Sequence, residues 1–206
     1  MASHVARILA MPSVPQRTPA WYAWRDGRVT ATLAGPILSN PAFRVSAFAG
    51  NRHTERGNKF ESVARDLFAA GNVGFGAPCT VAELGGIEHP LYPLFGASSD
   101  GLITSGPQTG NLLEIKCPET LKAPSAAWKT QCWFQLAVTG APCVLLLQCV
   151  FREGTDLEGQ TFVARNLKDG WLLHNARLDV MYPNPDWFAA GVPKWEAWLG
   201  RECPLH

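Results

Sequence analysis

The sequence predicts an α/β fold in a single domain, a mixed sheet with helices on its faces. Three observations carry that expectation. Residues 54–70 put Phe60, Val63, Ala64, Leu67 and Phe68 at i, i+3, i+4, i+7 and i+8, which makes one apolar helix face. Residues 144–151 (VLLLQCVF) are a nearly unbroken apolar run, as befits a strand buried on both sides. Between them lies a hairpin pattern. Residues 95–104 are extended in character, 105–111 (SGPQTGN) are dense in turn formers, and 112–117 return as a second strand that Pro118 ends.

The 206 residues suffice for one well-cored domain, and 47% hydrophobic against 17% charged residues excludes a disordered chain. A net charge of +1 provides no global basic field, so any contact with nucleic acid must come from a local patch. Most of the eight Trp belong in the core, with some left to line a groove. No stretch is apolar enough to span a membrane, and the N-terminus lacks a signal-peptide pattern. Cys79, Cys117, Cys132, Cys143, Cys149 and Cys203 form no C-x-x-C and have no His at zinc spacing, which points to free thiols in a reducing compartment.

The remaining elements follow in order. Residues 1–18 read as a frayed or pairing arm. Residues 19–28 form a short helix with Trp21, Trp24 and Arg25, stopped near Gly27. Thr32 is placed to cap a helix running to about Ser39, which would make a seat for phosphate beside Arg25. Residues 74–93 read as an irregular strand pair, extended over 79–84 and turning at Gly85-Gly86. After the hairpin, Lys122 lies in a loop and 125–138 form a helix on which Trp128, Gln131 and Gln135 share a stripe. Thr139-Gly140 ends that helix. Residues 160–164 read as a further strand, and 168–182 and 186–199 as two helices.

The chemistry concentrates on the hairpin. Alternation puts Glu114 and Lys116 on one face of their strand and Leu113 and Ile115 on the other. Closing the hairpin brings Asp100 to Glu114. Two carboxylates so close repel unless a cation lies between them, and the oxygen-rich set suits Mg²⁺. Glu61 borders the apolar helix face and can reach the edge of the same cleft. Two uncharged amides, Gln131 and Gln135, could bond a water or phosphate near a metal.

Five short patterns in this order resemble the phage-lambda-type exonucleases, the YqaJ-like viral recombinase family of the PD-(D/E)xK nucleases. They are Trp21-x-x-x-Arg25 with Val29-Thr30-Ala31-Thr32; Gly57-x-x-x-Glu61; Ser98-x-Asp100-Gly101; Glu114-Ile115-Lys116-Cys117-Pro118; and Gln131 ahead of Val138-Thr139-Gly140. The resemblance implies a restriction-endonuclease-like core, with an arm at 1–18, core motifs over 19–151, and a C-terminal strand and helices over 152–206. It implies Mg²⁺, or Mn²⁺, held by Asp100, Glu114 and the backbone carbonyl of Ile115, with Glu61 joining through water or on a second metal. Lys116 would position the attacking water and Gln131 would support the site. Arg25, Thr32, Ser98 and Lys122 would grip a 5′-phosphate.

The departures from the family pattern are Lys122 for Arg, Thr32 for Ser, and Trp133 where a second Gln is common. The implied activity is 5′-to-3′ digestion of duplex DNA ends to 5′-mononucleotides. The resemblance further implies that the 3′ strand would be left for a single-strand annealing protein, that the enzyme would be a homotrimeric ring, and that it would work in the cytoplasm of a bacterial host as a phage or prophage product. Two other readings share these residues: an endonuclease or junction resolvase on the same fold, and a non-catalytic DNA-binding protein.

Overall fold

The computed structural model describes residues 2–40, 42–45, 52–153 and 171–202. The first half of the chain runs α1 (Ala2–Leu9), β1 (Ser13–Val14), α2 (Pro19–Arg25), β2 (Val29–Thr30), α3 (Ala31–Ser39), α4 (Arg52–Ala69), β3 (Val81–Ala82) and β4 (Gly86–His89). The second half runs β5 (Tyr92–Ala97), β6 (Gly101–Ile103), β7 (Leu112–Lys116), α5 (Ala126–Thr139), β8 (Val144–Glu153), β9 (Trp171–Met181) and α6 (Pro185–Glu202).

The main sheet has five strands in the order β3-β6-β7-β8-β9. It is mixed, because β7 and β8 run parallel while its other pairs are antiparallel. Alternation along its two central strands divides the core. Leu112, Val144 and Leu146 face one apolar cluster, with Phe134 of α5, Ala34 of α3 and Trp195 of α6. Leu113, Ile115, Leu145 and Leu147 face the other, which Phe60, Ala64 and Phe68 of α4 cover. The α/β expectation and the helix face at 60–68 therefore hold.

A second sheet, β1-β4-β5-β2, was not foreseen. The extended run at 95–104 is not one strand but the crossing between the two sheets. The chain leaves the second sheet at Ala97 and enters the main one at Gly101, so residues 98–100 bridge them. Gly86 begins β4 instead of turning. The arm at 1–18 does pair, through β1 with β4, but it also contains α1, which buries Val5 and Ile8.

The largest correction lies at 168–182, where β9 replaces the expected helix and pairs antiparallel with β8 along its length. A bulge sets the adjacent Val150 and Phe151 of β8 opposite Asn175 and Leu173 of β9 and shifts the alternation by one. Leu173 and Ala176 then reach the same cluster, a spacing of three that imitates a helix. The strand expected at 160–164, and Cys203, lie outside the described residues. The other five cysteines are free, and all but Cys79 are buried.

Two glycines fix where α2 sits. The ring of Trp24 lies against Gly86 and Gly96 so closely that a Cβ at Gly96 would come within 2.5 Å of it, and one at Gly86 within 2.6 Å. Trp24 also donates to Glu88 at 3.1 Å, and Arg28 pairs with the same carboxylate at 2.8 Å. Since α2 carries Trp21 and Arg25, this slot positions them. Gly96→Ala is expected to cost about 1–3 kcal/mol in denaturant unfolding, the scale of overpacking a filled site. An unchanged midpoint would contradict the tight slot.

Candidate active site

The centre is built where β6 stops short of β7. Gly101 pairs with Leu113, so the next position on the same edge of β7 is Ile115, and no β6 residue reaches it. The Asp100 carboxylate takes over, accepting the Ile115 N–H on Oδ2 at 2.7 Å. The N–H and C=O of one strand residue face the same edge, so the Ile115 carbonyl opens toward Asp100 as well.

Glu114 is 2% exposed and fully engaged. Its Oε1 accepts from Lys116 Nζ at 2.7 Å and from Gln131 Nε2 at 2.6 Å, and its Oε2 accepts from Gln135 Nε2 at 2.6 Å. Lys116 also donates to Gln131 Oε1 at 3.1 Å, so the amide ties carboxylate and ammonium together. Gln135 Nε2 reaches on to the Ser98 carbonyl at 3.1 Å. α5 supplies both amides and is firmly bounded. Ser125 caps it by accepting the Trp128 N–H, and Gly140 ends it in the left-handed region at φ 64°.

Electrostatics reflects the crowding. Burial, then Glu114 and Glu61, drive the Asp100 carboxyl well above its ordinary range, against Lys116 and the Ile115 N–H. Burial alone would lower Lys116, but Glu114 and Asp100 outweigh it and push the ammonium up to about 12. Glu61 is raised by burial and by Glu114, while Arg17 and Arg65 oppose the shift. Its carboxylate is paired with Arg17 at 2.5 Å, which places it at the rim of the centre.

The donor set fits a hard divalent cation. Burial and the neighbouring Glu114 raise the proton affinity of Asp100 beside a strand carbonyl, and no described residue donates to Asp100 Oδ1. Gln135 Oε1 is buried without a protein donor, so it can accept from a water. Among the described residues, no three His, Cys, Asp or Glu side chains converge as a ligand set by themselves. Asp100, Glu114 and the Ile115 carbonyl would therefore hold Mg²⁺ with water or phosphate oxygens completing its shell, as this ion prefers.

Three of the four residues expected at a 5′-phosphate form one chain of contacts. Arg25 donates to Thr32 Oγ1 at 3.1 Å and lies 4.5 Å above the Trp21 ring, and Trp21 Nε1 donates to Ser98 Oγ at 2.9 Å. Burial pulls the Arg25 pKa below its usual value. Among the described residues no carboxylate pairs with it, so the guanidinium is ready for an anion. Thr32 is not the helix cap. Thr30 holds that position, and its hydroxyl bonds Thr32 at 3.2 Å instead of capping. Lys122 stands apart from this chain, with its ammonium 4.8 Å from the Trp128 ring.

Gln135, which the helical stripe singles out with Gln131, supplies the second amide, while Trp133 packs on Trp187 at 5.5 Å, so the departure at 133 does not remove an amide from the site. Sequence reasoning missed two other participants. Gln148, fully buried, clamps the Lys122 peptide by accepting its N–H at 3.2 Å and donating to its carbonyl at 2.8 Å. Its signal was the lone polar residue in the apolar run 144–151. Arg65 donates to the Asp100 carbonyl at 3.3 Å.

The fold and the Asp100…Glu114-x-Lys116 constellation define a protein with the restriction-endonuclease-like PD-(D/E)xK core. The family model of the YqaJ-like viral recombinase domain matches residues 38–142, and the chain belongs to that family. The matched span includes Glu61, Asp100, Glu114, Lys116 and both amides, but not Arg25 or Thr32. No curated protein matches in sequence.

Among solved structures, the chain is similar to LHK-Exo, an alkaline exonuclease from Laribacter hongkongensis, in complex with dAMP. That likeness has a TM-score of 0.64 and 22% identity over 90% of this chain and 92% of that one. A SOX–DNA complex has TM-score 0.58 and 12% identity, over 89% of this chain and 67% of that one. A phage-related exonuclease from Haemophilus somnus 129PT has TM-score 0.52 and 14% identity, over 99% and 93%. At these identities the likeness establishes the fold. Among the described residues no helix is long and apolar enough to cross a membrane.

The raised Asp100 carboxyl has a signed consequence. It binds its proton more tightly folded than unfolded, so its stabilising contribution is present in acid and lost as pH rises through the raised folded value. In a chelating buffer at pH 8, Asp100→Asn is expected to melt about 2–4 °C above wild type, with the gap closing toward pH 4. Equal melting at pH 8 would show that the carboxylates do not strain each other.

Proposed function

We propose that the chain is a Mg²⁺-dependent deoxyribonuclease that digests duplex DNA from 5′ ends, releases 5′-mononucleotides and leaves a 3′ single strand. The observation that carries this reading is Glu114, a buried carboxylate held by Lys116, Gln131 and Gln135 beside Asp100. A plain structural ion pair would not need a second carboxylate left with a raised pKa at its side. Family membership supports a recombination role, and the structural neighbours include exonucleases, one of them in complex with dAMP.

A divalent cation at Asp100, Glu114 and the Ile115 carbonyl would lower the pKa of a bound water and neutralise charge on the phosphate it attacks and on the departing 3′-oxygen. Lys116 keeps a proton at working pH and holds positive charge where negative charge develops. Gln131 fixes Lys116 relative to Glu114, and Gln135 fixes Glu114 relative to the Ser98 backbone. Arg25, Thr32 and Ser98 seat the terminal 5′-phosphate, which sets the register of the strand. Lys122 adds a point charge farther along.

Mn²⁺ can serve the same oxygen donors. A homotrimeric ring, as the family resemblance implies, would let three modest patches face one channel despite a net charge of only +1. The 3′ strand would pass to a single-strand annealing protein in the cytoplasm of a phage-bearing bacterium.

Linear duplex is expected to be degraded with Mg²⁺ and spared with EDTA, while closed circular duplex survives both. Cutting of closed circles would favour the endonuclease reading. Glu114→Ala should abolish hydrolysis while leaving a folded chain, and Lys116→Ala should slow it by at least about 100-fold, the scale of one preorganised electrostatic group. Arg25→Ala should narrow the preference for 5′-phosphorylated over 5′-hydroxyl ends in competition assays, and an unchanged ratio would remove Arg25 from the pocket.

A further inference from the structure

We propose that Arg17 is a positioning residue of this nuclease centre: its guanidinium, fixed by an unfavourable backbone conformation, holds the Glu61 carboxylate in place beside Asp100 and Glu114. The inference rests on the nuclease reading of that centre. Among the described residues, Arg17 is the one non-glycine residue with positive φ, at 62°. A side chain with Cβ is disfavoured there, and glycine would relieve it. Residues held in such conformations persist when their surroundings over-determine them, and they cluster at functional sites.

The surroundings of Arg17 do so. On one side, Gln16 Nε2 donates to the Leu84 carbonyl at 2.7 Å and to the Ser99 carbonyl at 3.0 Å, one residue from Asp100. On the other side, Thr18 accepts the Trp21 N–H at 3.2 Å and donates to the Pro15 carbonyl at 2.8 Å, which starts the helix carrying Arg25. The segment 16–18 thus spans from the phosphate pocket to the acidic centre.

The side chain at its middle crosses to α4 and meets Glu61 at 2.5 Å. Arg17 is 48% exposed and Glu61 18%, and pairs so open to water add little to stability. Stability therefore gives no reason to keep arginine where glycine is favoured. Holding a carboxylate that acts on Asp100 does. Lys116 and Arg65 already serve other partners, at Glu114 and Glu83, so among the described residues Arg17 is the cation that pairs directly with Glu61.

Arg17→Gly separates the two roles. It is expected to melt no lower than wild type, because the backbone is relieved, while kcat on 5′-phosphorylated linear duplex falls about 10- to 100-fold, as for removal of groups that orient catalytic ligands. KM for the duplex should stay within about twofold, since the orienting contact is not a substrate contact. In a Glu61→Gln background the same substitution should cause no further loss, because its effect runs through that carboxylate.

An unchanged kcat in Arg17→Gly would overturn the proposal. So would a loss confined to KM, which would make Arg17 a DNA phosphate contact, or an additive loss in the double variant. Absence of hydrolysis by the wild-type chain on linear duplex would instead refute the nuclease reading itself, so the two failures are distinguishable.

Discussion

A carboxylate taken almost wholly out of water is the constraint on which this molecule is organised. Leaving Glu114 buried and unpaired would cost several kcal/mol, so three donors must arrive at it together. Lys116 comes from its own strand, two residues on and hence on the same face. Gln131 and Gln135 come from one face of α5, four residues apart. The helix can deliver both amides only if it crosses the sheet at that point. The Ser125 cap, the Gly140 terminus and the packing of Phe134 against Phe95 and Trp195 serve that placement. Charge-assisted bonds of this kind contribute about 1.5–3 kcal/mol each, and together they offset the cost of taking the carboxylate out of water.

The second constraint is that the centre is held against its own repulsion. Asp100 sits where β6 ends early, capping the N–H that a longer strand would have satisfied, and it is pressed by Glu114 and Glu61 toward the protonated form. Such a site is not optimised for the stability of the free chain. It makes sense as a place where charge is kept waiting for a cation and a phosphate. Arg25 is the complement: a guanidinium desolvated over Trp21, with hydroxyls as its neighbours, waiting for an anion.

Much of this was legible in the sequence, because the relevant rules are local. Alternation put Glu114 with Lys116, the turn formers at 105–111 closed the hairpin, and helical spacing put Gln131 and Gln135 on one stripe. What escaped was decided by long-range geometry. The switch between sheets at 98–100 leaves no pattern, since both strands it joins are apolar. The bulge opposite His174 turned a strand's alternation into helix-like spacing. Thr32 looked like a cap because its neighbour Thr30 has the same hydroxyl. Arg17 carried no signal at all, for its meaning lies in a backbone angle and in a partner 44 positions away.

On the proposed function, Glu114 and Asp100 together make a divalent-cation site whose occupancy depends on both. Titrating the chain with Mn²⁺ in the absence of DNA, and following the free ion by its paramagnetic resonance signal, puts this to the test. Saturable binding by the wild-type chain is expected, lost in Glu114→Gln and in Asp100→Asn, with each variant still folded by circular dichroism. Equal Mn²⁺ binding by the wild-type chain and either variant would contradict it.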